Sequence, residues 1–297
     1  MRTRKIVFLV FITIGYVQFS NGQELLELLD KEQKEVPEYT SATFKMTRIA
    51  IGHSIETRKK GILEIFVANR FWNTPNPQSE SFFVDRLSTR FALEYGVTDR
   101  LSVGLGGTSY DGLFDGYLKY KLIRQRGDGK GSPFSITLMH SSTYNSNAFP
   151  NLEGDFSNRL SFASQVLVAK KFSPDFSLQI APSFIHRGQL LAAEDPRNHF
   201  AIGFGGRYKL GHHLSFVSEY YYIANPIKSF DTYGPFAIGV NWELGDLMLQ
   251  FMLTNAQRIA DDAFITQTRL NFNFKNPNLN FGFNATYVIH FKSGLKK

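Results

Sequence analysis

From Thr43 onward the chain alternates apolar and polar side chains, and period two persists through one segment after another. The clearest run is Arg86-Leu87-Ser88-Thr89-Arg90-Phe91-Ala92-Leu93-Glu94-Tyr95. Arg86, Arg90 and Glu94 fall on one face of it, and Leu87, Phe91, Leu93 and Tyr95 on the other. Such alternation describes a β-strand with two chemically opposed faces. Leu118, Tyr120 and Leu122 likewise oppose Tyr117, Lys119 and Lys121, and Leu160, Phe162, Val166 and Val168 oppose Arg159, Ser161 and Gln165. Phe200, Phe204 and Tyr208 oppose His199 and Arg207. Leu214, Phe216, Tyr220 and Tyr222 oppose Glu219, and Phe236, Ile238, Val240 and Trp242 oppose Glu243. The alternation predicts further strands through Leu270, Phe272 and Phe274, opposite Arg269, and through Leu279 to Phe291. Segments recur about every 18 residues. Tight turns such as Leu244-Gly245-Asp246 alternate with longer connections such as 145–157 and 224–234.

An oily strand face meets either a protein core or lipid. The oily segments are about ten residues long, enough for a tilted strand to cross a bilayer. Tyr95, Tyr208, Tyr222, Trp242 and Tyr287 fall at segment ends, as an interfacial girdle does, although Tyr120 breaks the pattern. A one-residue slip in the Arg86 segment would turn its arginines towards lipid, at ~2–4 kcal/mol each near the midplane. The pattern predicts an all-β fold, a transmembrane antiparallel up-and-down β-barrel of about 12–14 strands. Fourteen result if 43–51 and 61–71 both span, and twelve if neither does. With both termini periplasmic, parity then puts the turn Asn276-Pro277-Asn278 outside and the longer loops inside, the reverse of the usual arrangement.

The amino-terminal end adds a destination. Arg2, Arg4 and Lys5 precede an apolar run from Ile6 to Phe19, then Ser20-Asn21-Gly22, which reads as a signal peptide over 1–22. The remainder divides into a charged periplasmic arm (23–42), the barrel (43–291) and a basic tail (292–297). Location in the outer membrane follows, with outer-membrane lipid and the barrel assembly machinery as partners. The chain has no cysteine, which removes disulfides and lipoprotein anchoring. Its formal charge of +7 falls to about +4 without the signal and is spread along the chain, which argues against nucleic acid as a partner. Aromatic residues make up 15%, with 29 Phe, at a mean hydropathy of only −0.19; that combination suits surfaces oily in bands.

Several segments resemble a family of outer-membrane β-barrels of Gram-negative bacteria of unknown function. They are Thr43-Phe44-Lys45-Met46-Thr47-Arg48, Gly52-His53-Ser54-Ile55-Glu56-Thr57, Lys60-Gly61-Ile62-Leu63-Glu64, Glu94-Tyr95-Gly96-Val97-Thr98-Asp99-Arg100-Leu101, Asp115-Gly116-Tyr117-Leu118-Lys119-Tyr120-Lys121-Leu122 and Phe281-Gly282-Phe283-Asn284. The resemblance implies the fold and the location and supplies no substrate. It departs at Asn69-Arg70-Phe71-Trp72, where the family writes His-Arg-Phe-Gly, so no role for that histidine transfers.

The candidate functional residues are the charges on inward faces: Glu64, Arg86, Arg90, Glu94, Lys119, Lys121, Arg159, Arg207, Glu219, Glu243 and Arg269. Their cationic excess fits porin-like passage of small solutes, anionic ones among them. Two other readings stay open: a closed barrel, filled by ion pairs, that binds or assembles, and an outer-membrane lipid enzyme built on His140, Ser141, Ser142 and Asn145. No acid partner completes that last group, so no catalytic residue and no enzymatic role is expected. The seven histidines lack ligand spacing, and neither metal nor cofactor is expected. Gly104-Leu105-Gly106-Gly107 opens no helix, which removes a phosphate cradle.

Overall fold

A computed structural model describes residues 37–73, 85–147, 155–272 and 279–291. The signal segment, most of the charged arm, the turn at 276–278 and the basic tail lie outside the described residues. Twelve strands follow one another: β1 (Ile62–Trp72), β2 (Arg86–Gly96), β3 (Leu101–Thr108), β4 (Leu113–Ile123), β5 (Ser135–Asn145), β6 (Leu160–Lys171), β7 (Phe176–Arg187), β8 (Asn198–Lys209), β9 (Leu214–Ile223), β10 (Phe236–Leu244), β11 (Leu247–Thr254) and β12 (Asn280–His290). Each pairs antiparallel with the next, and β1 pairs with β12, so the sheet closes on itself. Closure leaves no free strand edge, which a wall surrounded by lipid requires.

Burial tracks the alternation. In β2, Leu87, Phe91, Leu93 and Tyr95 are exposed, while Ser88, Arg90, Ala92 and Glu94 are buried. The exposed band continues through Leu105, Phe114, Leu118, Phe200, Phe204, Tyr208 and Tyr222. In water these side chains would cost free energy; against acyl chains they are solvated. Among the described residues no helix is long and apolar enough to cross a membrane, and the crossing is made by strands.

The strand count corrects two expectations and removes the parity conflict. Residues 43–51 are not wall but lie buried, apart from exposed Lys45, and residues 267–272 are not a strand. Without those two segments, the start of β1 and the end of β12 lie beside the connections 97–100, 124–134, 172–175, 210–213 and 245–246. Most of these are tight; in the last, Gly245 takes φ +72°, the left-handed conformation a two-residue hairpin needs. The longer connections 188–197 and 224–235, and the described parts of those after β1, β5 and β11, gather at the opposite rim with the short 109–112. These rims are the turn end and the loop end below. Two seams of the ladder are irregular: β4–β5 pairing shifts register between Lys121 and Ile123, and β6–β7 pairing skips between Gln165–Ser183 and Val168–Ile180, where Pro182 has no N–H to donate.

The hydrophobic core sits inside the barrel rather than between layers. Phe44, Ile49, Ala50, Ile51 and Ile55 precede the wall in sequence and pack against inward Leu167, Ile185, Val217, Tyr221 and Met252. They are joined by Phe264 and Ile265 of a short helix, α1 (Asp261–Thr266), in the β11–β12 connection. The lumen thus carries an apolar core as well as polar groups.

Candidate functional site: a plugged lumen

Residues 39–61 form the plug. Thr40 N donates to Gln125 O at 2.9 Å and Lys171 Nζ to Ser41 O at 3.0 Å, so the segment enters along the 124–134 connection at the turn end. It then makes a tight reversal. Ser54 N donates to Thr47 O at 2.9 Å and Ile49 N to Gly52 O at 3.0 Å, placing Ile49-Ala50-Ile51-Gly52 at the tip.

The tip's free amides converge on one side chain. Glu219 Oε2 accepts from Ala50 N at 3.1 Å, Ile51 N at 2.8 Å and Gly52 N at 3.0 Å, while Tyr221 Oη donates to Oε1 at 3.0 Å. A buried carboxylate is tolerated when donors surround it this way. Position 52 must be glycine for this approach, because a Cβ there would lie 1.9 Å from Tyr221 Oη. Inward Gly205 similarly makes room for Ile49, whose Cδ1 would meet an added Cβ at 2.4 Å.

Most of the wall takes part. Gln179 accepts from Ile55 N at 2.7 Å and donates to His53 O at 2.8 Å; Thr137 Oγ1 donates to Ile55 O at 2.8 Å. Gln250 Nε2 donates to Ile49 O at 2.5 Å and Asn284 Nδ2 to Ala50 O at 3.2 Å. The plug's backbone groups therefore find partners that a β-ladder would otherwise supply.

The predicted lumen charges divide by depth. Glu64, Arg90, Glu94, Lys119, Arg207 and Glu219 are buried on inward faces. Towards the turn end, Glu64 accepts from Thr47 Oγ1 at 2.7 Å and pairs with Arg58, and Glu94 accepts from Tyr117 Oη at 3.0 Å. Lys119 donates to the carbonyls of Thr47 and Glu56, and Lys121 pairs with Glu56 at 3.0 Å. Glu243 bridges Arg207 at 3.4 Å and Lys45 at 3.0 Å. Deeper, Arg90 and Asp115 form a two-pronged pair, with Nη2–Oδ2 at 2.7 Å. Arg159 and exposed Arg86 sit at the loop end.

Arg269 is the correction. It is exposed outside any strand, its guanidinium 3.9 Å over the Phe230 ring, and lines no lumen. Of the run Leu270 to Phe274 that placed it inward, Leu270 to Phe272 follow a helix and form no strand; Asn273 and Phe274 lie outside the described residues.

Sequence reasoning missed Arg48, His53, Arg58, Asp115 and Asp261. Asp261 joins the plug to α1, standing 3.4 Å from His53 Nε2 and 3.7 Å from Arg48 Nη1. Burial, with Arg48 beside it, pushes the His53 imidazole down to about 3, so it is neutral at pH 7. Among the described residues no three His, Asp or Glu side chains converge as a metal would require. His140 and Ser141 occupy opposite wall faces, with exposed His140 Nδ1 2.9 Å from Ser164 Oγ and Ser141 buried, so they form no nucleophile–base pair.

Above α1, at the loop end, lies a cavity of about 370 Å³. Arg159, Arg187, Arg258, Asp111 and Asp262 contribute its charges, and Asn145 and Gln189 contribute amides.

Fold and filled lumen together define a plugged membrane β-barrel. Residues 44–289 match the family described as Membrane bound beta barrel domain (DUF5777), and the chain belongs to that family. No curated protein matches the sequence. Among solved structures it is similar to the NanC porin, at 11% identity and TM-score 0.48, covering 77% of this chain and 100% of that one. The KdgM porin aligns at 10% identity and TM-score 0.48, covering 77% of this chain and 99% of that one. The COG4313 outer membrane channel from Pseudomonas putida F1 aligns at 12% and 0.44, covering 79% and 97%.

Proposed function

We propose that the protein is an outer-membrane, porin-type barrel held closed by its own amino-terminal segment, and that small polar solutes pass when the segment moves. The observation that carries this reading is the docking of the plug tip on Glu219. The attachment combines such hydrogen bonds with ion pairs and an apolar cluster, and none of it belongs to the wall's own ladder. The rims support the orientation, since short turns face the periplasm in such barrels and the longer loops face outward. Insertion by the barrel assembly machinery follows from that placement. Anion passage draws less support, because Arg58, Arg90 and Arg207 are matched by Glu64, Asp115 and Glu243. A second reading, a closed barrel that binds without conducting, is favoured by the filled lumen itself.

Planar-bilayer conductance of the refolded chain and of Gly52→Val separates the two. The wild type should be nearly silent, and Gly52→Val should give discrete current steps. Steady large currents from the wild type would refute a closed resting state. A folded Gly52→Val barrel that stays silent, although residues 39–61 have become protease-sensitive, would refute passage and leave the binding reading.

A further inference from the structure

The loop-end cavity has two chemically distinct sides. Asp111 and Asp262 line it, each buried, and each leaves one carboxylate oxygen without a hydrogen-bond partner: Oδ2 of Asp111 and Oδ1 of Asp262. Arg258 pairs only with Oδ1 of Asp111, at 3.1 Å. Both carboxyls are raised above the ordinary aspartate range, chiefly by burial, which Arg258 opposes at Asp111 and Arg187 and Thr143 oppose at Asp262. Two orphaned acceptors facing one space call for a cationic donor between them. The other side presents Arg159, whose Nη1 donates to Asn145 O at 3.1 Å and Asn147 O at 2.7 Å, and Arg187, whose Nη1 donates to Thr266 Oγ1 at 2.9 Å. Arg159, fixed by neutral carbonyls, keeps its charge available for an anion, while Arg187 lies within electrostatic reach of Asp262 across the cavity.

From these two sides we infer that the cavity is a binding site for a small zwitterion, of the class of a short peptide with free ends. Its ammonium lies between Asp111 and Asp262 and its carboxylate against Arg159 and Arg187. The volume, about 370 Å³, suits a ligand of a few residues. A neutral sugar leaves both charged sides unanswered, and a simple anion answers only one.

The site also adjoins the latch. Asp262 faces the cavity, while its neighbour Asp261 holds His53 and Arg48 of the plug, and Thr266 of the same helix holds Arg187. A ligand drawing Asp262 and Arg187 together therefore acts on the element that anchors the plug. This coupling rests on the plugged-channel reading; the binding site does not.

The test is calorimetric titration of the full refolded chain with triglycine, N-acetyl-triglycine, triglycine amide, glucuronate and calcium. Triglycine should bind, and blocking either end should weaken it at least tenfold. Asp262→Asn should remove the penalty for acetylation, and Arg187→Met the penalty for amidation, in each case by lowering affinity for free triglycine. Binding of glucuronate or of calcium alone, without triglycine, would overturn the assignment, as would no binding at all. Triglycine that binds wild type and Gly52→Val equally, while neither conducts, would uphold the site and sink the channel.

Discussion

Replacing Glu219 by alanine isolates the energetics of plug docking. The carboxylate accepts from three buried plug amides at 2.8–3.1 Å. Hydrogen bonds to a charged acceptor contribute ~1.5–3 kcal/mol each, so three bonds amount to a gross ~4–9 kcal/mol. Water entering the vacated space recovers part of this, and the bonds are not additive. The low end, ~4 kcal/mol, is a factor of ~10³ in the docked population. Hydrogen exchange reads that population directly at the amides of Ala50, Ile51 and Gly52. Their exchange in the Glu219→Ala barrel should accelerate ~10³-fold over wild type by that same estimate, while wall amides such as those of β8 stay protected. Glu219→Gln keeps one acceptor oxygen and should fall between the two. A folded Glu219→Ala barrel, shown by faster gel migration before boiling, with exchange at these amides within tenfold of wild type would refute the reasoning.

Three other perturbations test neighbouring contacts. Gly52→Ala should expose residues 39–61 to protease, and Tyr221→Phe in the same chain should partly restore protection, because the nearest atom to the added methyl is Tyr221 Oη. Asp115→Leu leaves Arg90 buried and unpaired, and should lower stability in urea titration by ~3–5 kcal/mol, whereas Arg90→Met with Asp115→Leu should recover much of it. Because His53 is depressed to about 3 in the docked plug and is ordinary at 6.5 when released, the released state binds more protons below 6.5. Docking should therefore be constant above pH 6.5 and weaken as pH falls towards 3, by up to ~1.4 kcal/mol per unit, seen as rising protease sensitivity of the plug. A His53→Gln chain should lack that slope.

The wall was legible because every strand repeats one constraint, apolar to lipid and small or polar inward, and β2 shows it residue by residue. The plug was not, because its constraint is non-local: Ala50 is shaped by Glu219 and Asn284, 169 and 234 positions away. One signal was present in the glycines and alanines on inward faces, which leave space that something must fill. A second was the resemblance itself, since the quoted segments around Thr43 to Arg48 and Gly52 to Thr57 are plug rather than wall. The strand through Leu270 to Phe274 misled because its alternation is genuine but short, and the six-residue helix before it has no side-chain cap to announce it.

The position of the plug in the chain constrains assembly. It leads directly into β1, yet its tip bonds β9, β11 and β12, so its partners are the last parts of the wall to be delivered. While β1 and β12 are unpaired, the half-formed sheet is an open trough into which residues 39–61 can be laid. Once that seam zips, the same segment would have to be drawn lengthwise through a crowded bore. The seam's closure is therefore the moment at which the cargo is sealed in. A barrel that closes empty would be a long-lived misassembled species, distinguishable from the native form by conductance although its wall is complete.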